Sequence, residues 1–95
     1  MPVAIRTFKC ADTEALFHLR RVPRFANIER PALRRLKQLD LAKGIEDLRA
    51  PPANRLELLK GDRAGQWSLR VNDQYRVCFR WTGSDAEGVE IVDYH

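Results

Sequence analysis

From residue 55 onward, apolar side chains recur at every second position, the period of a strand that buries one face. Residues 67–71, 75–82 and 88–94 carry this alternation, and a shorter run, 55–59, precedes them. The breaks are brief: residues 60–65 with two glycines, Asn72-Asp73-Gln74, and residues 82–85. Strands joined by so few residues run antiparallel, because a parallel return needs a crossover of about a dozen residues. Trp67, Leu69 and Val71 on one strand must share a core with Tyr75, Val77, Phe79 and Trp81 on the next. A slip by one residue would turn a whole strand inside out. The three-residue loop Asn72-Asp73-Gln74 meets this demand by pairing Val71 with Tyr75 and Leu69 with Val77; a two-residue loop does not.

That register sets Arg70 directly across from Arg76, with Arg80 further along the same face. Like charges placed opposite one another destabilise a sheet. One reading is that the pair meets a phosphate, whose oxygens match the fixed donor fork of arginine. The other has the guanidiniums fan into water or meet Asp and Glu side chains.

Residues 1–53 read differently. Val3 to Lys9 alternates loosely and predicts a short first strand. Asp12 is the expected N-cap of a helix to about His18, with Ala15, Leu16 and Leu19 as its apolar stripe. Pro23 interrupts that pattern at Val22. Asn27 is the expected cap of a second helix, in which Pro31 falls within the first turn. Ala32, Leu33, Leu36 and Leu39 recur there at helical spacing, and Arg34, Arg35, Lys37 and Lys43 cover the remaining faces. Gly44 stops this helix, Ile45 to Leu48 add one more turn, and Ala50-Pro51-Pro52-Ala53 forms a rigid connector. The expected architecture is α+β: two to three N-terminal helices packed on a small, mainly antiparallel sheet.

Ninety-five residues suit one domain, 1–95, and 44% hydrophobic residues can supply its core. No apolar run approaches the roughly 20 residues of a membrane span, and the first residues lack a signal-peptide pattern. Cys10 and Cys78 make neither a disulfide framework nor a metal-ligand pair, so a cytoplasmic protein without metal or cofactor is expected. The net charge of +4 is uneven: residues 1–53 hold 11 basic and 6 acidic side chains, residues 54–95 hold 6 and 7. Such a surface draws polyanions or an acidic protein partner.

The sequence closes on Asp93-Tyr94-His95. Cutting RNA without a metal requires a base at the 2′-hydroxyl, an acid at the leaving 5′-oxygen, and cations for the charge that builds on the phosphate. Histidine is the natural proton carrier near neutral pH. Asp93 lies on the same side of a strand as His95 and can orient it, and Tyr94 can donate to an oxygen or stack on a base. A plain strand end is the competing reading. His18 is a surface or core residue. No phosphate-cradling glycine loop or nucleophile elbow is present.

Residues 56–79, LELLKGDRAGQWSLRVNDQYRVCF, and 90–95, EIVDYH, resemble HigB-type toxins, a branch of the RelE/ParE superfamily. Residues 1–53 match more loosely, through Phe8-Lys9 and the helical pair. The resemblance implies a microbial-RNase-like fold and ribosome-dependent cleavage of messenger RNA. It places Asp93, Tyr94 and His95 in the active site, with Lys60 and Arg76 at the scissile phosphate. Arg63, Arg70, Arg80, Arg34, Arg35 and Lys37 are then the expected RNA contacts. Some members carry a histidine where this chain has Glu57. The implied partners are a helix-turn-helix, HigA-like antitoxin, the ribosome with its mRNA, and operator DNA through the antitoxin complex; no membrane is involved. Two alternatives stay open: a same-fold toxin that acts on DNA gyrase, as ParE-like relatives do, and a non-catalytic RNA-binding module.

Overall fold

The computed structural model describes residues 3–93. Two α-helices, α1 (Ala11–Phe17) and α2 (Glu29–Leu41), lie against a four-stranded sheet of β1 (Glu57–Leu58), β2 (Trp67–Arg70), β3 (Tyr75–Trp81) and β4 (Ala86–Asp93). Strand order is β1-β2-β3-β4 and every neighbouring pair is antiparallel, the meander that the alternation predicts. The register of the central hairpin also follows the sequence: Leu69 pairs with Val77 and Arg70 with Arg76. Among the described residues no helix is long and apolar enough to cross a membrane.

One face of the sheet is the core. Leu69, Val77, Phe79, Val89 and Ile91 pack there against Leu16, Phe25, Ala32, Leu36 and Leu39. Ala32, Leu36 and Leu39 are fully buried, as their spacing on α2 requires, and Leu33 is partly buried beside them. The connector folds as the 3-10 turns Ile45–Arg49 and Pro52–Asn54, tied to α2 where the buried Asn54 Nδ2 donates to Gln38 Oε1 at 3.0 Å. Thr13, fully buried in α1, accepts the Ile91 backbone N–H at 2.9 Å and pins β4 close to its end.

Several boundaries differ from the sequence reading. The α1 cap is Cys10 in an extended conformation; Asp12 lies in the first turn and meets Arg24 at 2.8 Å instead. Leu19 leaves the apolar stripe. It sits at the left-handed position after the helix (φ 65°), where its N–H reaches Leu16 O at 2.9 Å and that of Arg20 reaches Ala15 O at 2.9 Å. This is the Schellman arrangement, and it points the leucine into solvent. Asn27 falls inside a 3-10 turn, Pro23–Ile28, that drives Phe25 and Ile28 into the core, so Ile28 takes the cap position of α2. The expected first strand is two isolated parallel bridges to β4, Ile5–Ala86 and Phe8–Val89. β1 is only two residues long because Arg55 adopts a left-handed conformation (φ 44°) just before it. α2 ends at Leu41, ahead of Gly44, since Ala42 is already extended.

Candidate active site

The sheet face away from the helices carries the polar residues of the alternation. At its end, Asn72 Oδ1 accepts the backbone N–H of Gln74 (2.9 Å) and of Tyr75 (2.7 Å), which closes the turn between β2 and β3. Val71 N–H donates to Tyr75 O at 2.9 Å. The hydrogen-bonded rungs are therefore 71/75 and 69/77, and Arg70 and Arg76 form the intervening close pair. Arg70 answers the crowding by pairing with Asp73 in the turn. Arg76 Nη1 donates to Ser68 Oγ at 2.7 Å, and Ser68 is fully buried, so the guanidinium is held from beneath by a fixed hydroxyl.

β4 ends at the same level of the sheet, but its last described residue belongs to the helix-facing side, with Tyr75, whose ring packs on Phe25. Tyr75 pairs with Asp93 and Arg76 with Val92. Asp93 therefore lies beside Tyr75 rather than directly across from Arg76, and Gln74 Nε2 donates to its Oδ2 at 2.9 Å. Arg70, Arg76 and Asp93 are thus brought to one end of the sheet. Tyr94 and His95, the other two expected active-site residues, lie outside the described residues.

Further along this face, Glu90 receives Arg63 at 3.4 Å and Lys9 at 3.6 Å. Arg63 also donates to Gln66 Oε1 at 3.1 Å. Beside them Cys78 is fully buried, and its thiol is pushed up to about 11. Burial is the main cause; Arg63 lowers it, Glu90 raises it, and Arg76 lowers it. Cys78 is therefore a protonated packing group at neutral pH, not a nucleophile.

Other expected contacts lie apart. Leu58 pairs with Trp67, which sets Lys60 five residues from the level of Arg70 and Arg76 along the strands. At about 3.3 Å per residue this is a backbone offset of roughly 16 Å, part of which the two long side chains span, Arg76 reaching back as far as Ser68. Lys60 is exposed and has no ion pair among the described residues. A bulge between Cys78 and Arg80 shifts Arg80 opposite Glu87, and its guanidinium lies over Gly65, where an added Cβ would stand 3.0 Å from Nη1. Arg34 and Lys37 are exposed on α2, away from the Arg76 face.

Arg35 departs furthest from the expected outer face. It is 9% exposed, and its Nε donates to the Arg70 carbonyl at 2.8 Å. Burial, then Arg34 and Arg70, lower its pKa from the ordinary arginine value. The side chain fastens α2 to the strand that presents Arg70. Among the described residues no cluster of His, Cys, Asp and Glu can hold a metal ion.

The described geometry amounts to a cationic sheet end: one arginine held by a buried hydroxyl, a second paired directly across from it, and a carboxylate at the end of the neighbouring strand. Residues 15–95 match the family model of the HigB-like toxin, a RelE-like toxin of a type II toxin–antitoxin system. The chain belongs to this HigB-like family. It is 44% identical over 69 residues to Toxin HigB-1 of Vibrio cholerae, covering 73% of this chain and 68% of that protein. It is also 38% identical over 61 residues to Endoribonuclease HigB of Proteus vulgaris, covering 64% of this chain and 65% of that one. The alignments thus span about two thirds of each relative. Membership agrees with the resemblance carried by residues 56–79 and 90–95, and the helices on an antiparallel meander agree with a RelE-like α+β fold.

Within this HigB-like site, Ser68, Asp73, Gln74, Glu90 and Lys9 were given no site role by the sequence. Ser68 was within reach of the register, being two positions from Arg70 on the same face. Lys9 was not, because it depends on the parallel contact of residues 5–8 with β4, which no local pattern encodes.

Proposed function

We propose that this chain is the toxin of a type II toxin–antitoxin pair, a ribosome-dependent endoribonuclease that cuts translated messenger RNA in the cytoplasm. The observation that carries the reading is Arg76, anchored on buried Ser68 beside Arg70 at the sheet end where β4 delivers Asp93. Membership of the toxin family, and a relative that bears the name endoribonuclease, support the activity.

In this mechanism Arg76 and Arg70 hold the non-bridging oxygens of the scissile phosphate and stabilise the charge that builds on them. The 2′-oxygen attacks phosphorus, its proton passing to water, as the bond to the 5′-oxygen breaks. His95 donates a proton to that leaving oxygen, with Asp93 and Tyr94 orienting the imidazole. Lys60, on a long side chain set back along the sheet, adds its charge at the same scissile phosphate. So few groups suffice because the ribosome holds the mRNA in a reactive geometry, which supplies much of the barrier lowering. The exposed cations of residues 1–53 meet ribosomal RNA. A helix-turn-helix, HigA-like antitoxin silences the toxin, and operator DNA is bound through their complex.

The test pairs two assays on one purified preparation: a defined mRNA on stalled ribosomes and on its own, and supercoiling by DNA gyrase. Cleavage only with ribosomes, and unimpaired gyrase, is the expected result. Gyrase inhibition without new RNA ends would sink the reading, and so would RNA binding without cleavage.

A further inference from the structure

An apolar groove of about 850 Å³ lies on the helical side of the molecule, floored by Phe17, Leu19, Leu33, Leu41 and Pro51. Arg34 and Lys37 stand among these residues, and a smaller hollow of about 160 Å³ shares Leu19 and Leu33 and adds Arg20 and Arg21. All four cations are exposed, and none has an ion pair among the described residues. Among the described residues that line the two hollows, Glu29 is the one carboxylate. We infer that the groove is a docking site for an amphipathic helix of a partner protein, with aliphatic side chains on the inserted face and carboxylates along its flanks. Naming the antitoxin as the carrier of that helix rests on the function proposed above; the groove does not.

The occupant follows from charge and floor together. A rim of unpaired cations calls for a polyanion or an acidic peptide. An aliphatic floor gains nothing from phosphate and offers no flat surface for a base; the one aromatic ring, Phe17, already packs on Phe8 with ring centroids 5.5 Å apart. Inserted leucine-type side chains gain from every such residue they cover. Leu33, Lys37 and Leu41 follow one another at four-residue intervals on α2, a line of about 12 Å that a helix of two to three turns would cover. Leu19 adds a second line of evidence. The left-handed position after a helix suits glycine, and leucine there costs about 1 kcal/mol. Yet Leu19 is 79% exposed and Leu41 63%, so neither repays the fold by burial. Covering them in a complex would.

The test uses two synthetic helical peptides with leucine at the inward heptad positions, one flanked by glutamate and one by lysine, titrated by fluorescence anisotropy against the whole chain. The variants are Leu19→Glu and Leu41→Glu, whose melting temperatures should match the wild type because both side chains are exposed. The glutamate peptide should bind about tenfold or more tighter than the lysine peptide, and each variant should weaken it about tenfold. No binding of the glutamate peptide, equal binding of both, or binding that ignores the variants would overturn the inference. A duplex RNA whose binding is lost on the same two variants would overturn it in favour of nucleic acid. Peptide binding does not depend on RNA cleavage, so failure of the groove and failure of the nuclease reading are separately visible.

Discussion

Replacing Arg35 separates a structural cation from an RNA-binding one. Its Nε–H bond to the Arg70 carbonyl, at 2.8 Å, joins a charged donor to the backbone of the strand that presents the site. Hydrogen bonds of charged donors contribute about 1.5–3 kcal/mol. With the side chain 9% exposed, truncation to alanine also uncovers about two methylenes, at about 0.8 kcal/mol each. Against this stands relief of a guanidinium that is partly desolvated and faces Arg34 and Arg70. The net expectation is a loss of about 2–3 kcal/mol for Arg35→Ala, and about 1 kcal/mol less for Arg35→Met, which keeps the packing of the stem. Urea unfolding followed by fluorescence of Trp67 and Trp81 reads both, with an unchanged denaturant slope. A loss below about 0.5 kcal/mol for Arg35→Ala, accompanied by abolished RNA binding, would refute the structural role and return Arg35 to the RNA-contacting set.

Ser68→Ala should lower ribosome-dependent cleavage by roughly 10- to 100-fold while unfolding within about 1 kcal/mol of wild type, because Arg76 loses its support and small misplacements are costly in catalysis. Equal cleavage rates in single-turnover assays would count against that role. Thr13→Val should destabilise by about 1–3 kcal/mol in thermal or urea unfolding, since the Ile91 N–H would be left unpaired in the core. Burial of the Cys10 thiol opposes ionisation, but hydrogen bonds from Thr13 and Asp12 and the charge of Arg24 outweigh it and lower its pKa. Native alkylation near neutral pH should therefore modify Cys10 and spare Cys78, as peptide mapping would show. The raised pKa of Cys78 has the opposite linkage: above the ordinary thiol value the unfolded chain binds fewer protons than the folded one. Its contribution should hold below about pH 9 and fall as pH rises towards about 11, and a Cys78→Ala variant should lose that component of the pH profile.

Much of the sheet was legible because one constraint, a single buried face, settles both strand spacing and register. The opposition of Arg70 and Arg76 followed from the three-residue turn alone. The helix caps were not legible in the same way. Asp12 and Asn27 have the right side chains, but tertiary packing moved the start of each helix by one or two residues to bury Leu16, Phe25 and Ile28. Leu19 fits an apolar stripe by spacing, and only the left-handed turn at the end of α1 reveals that it points outward. At the site, the cations of the hairpin were readable from period two. The inward turn of Arg35 was not, since its helical position borders both the core face and the charged face of α2. Lys60 was linked to Arg76 through the family motif, whereas the strand register separates them along the sheet.

The central claim is that an arginine anchored on the sheet and the closing Asp-Tyr-His act together on translated mRNA. Mapping of mRNA 5′ ends after induction of wild type, Arg76→Ala and His95→Gln, with no antitoxin present, tests it most directly. Growth arrest with new ends inside translated codons for wild type, and their disappearance in both variants, is the predicted result. Arrest that persists in His95→Gln without new RNA ends would contradict it.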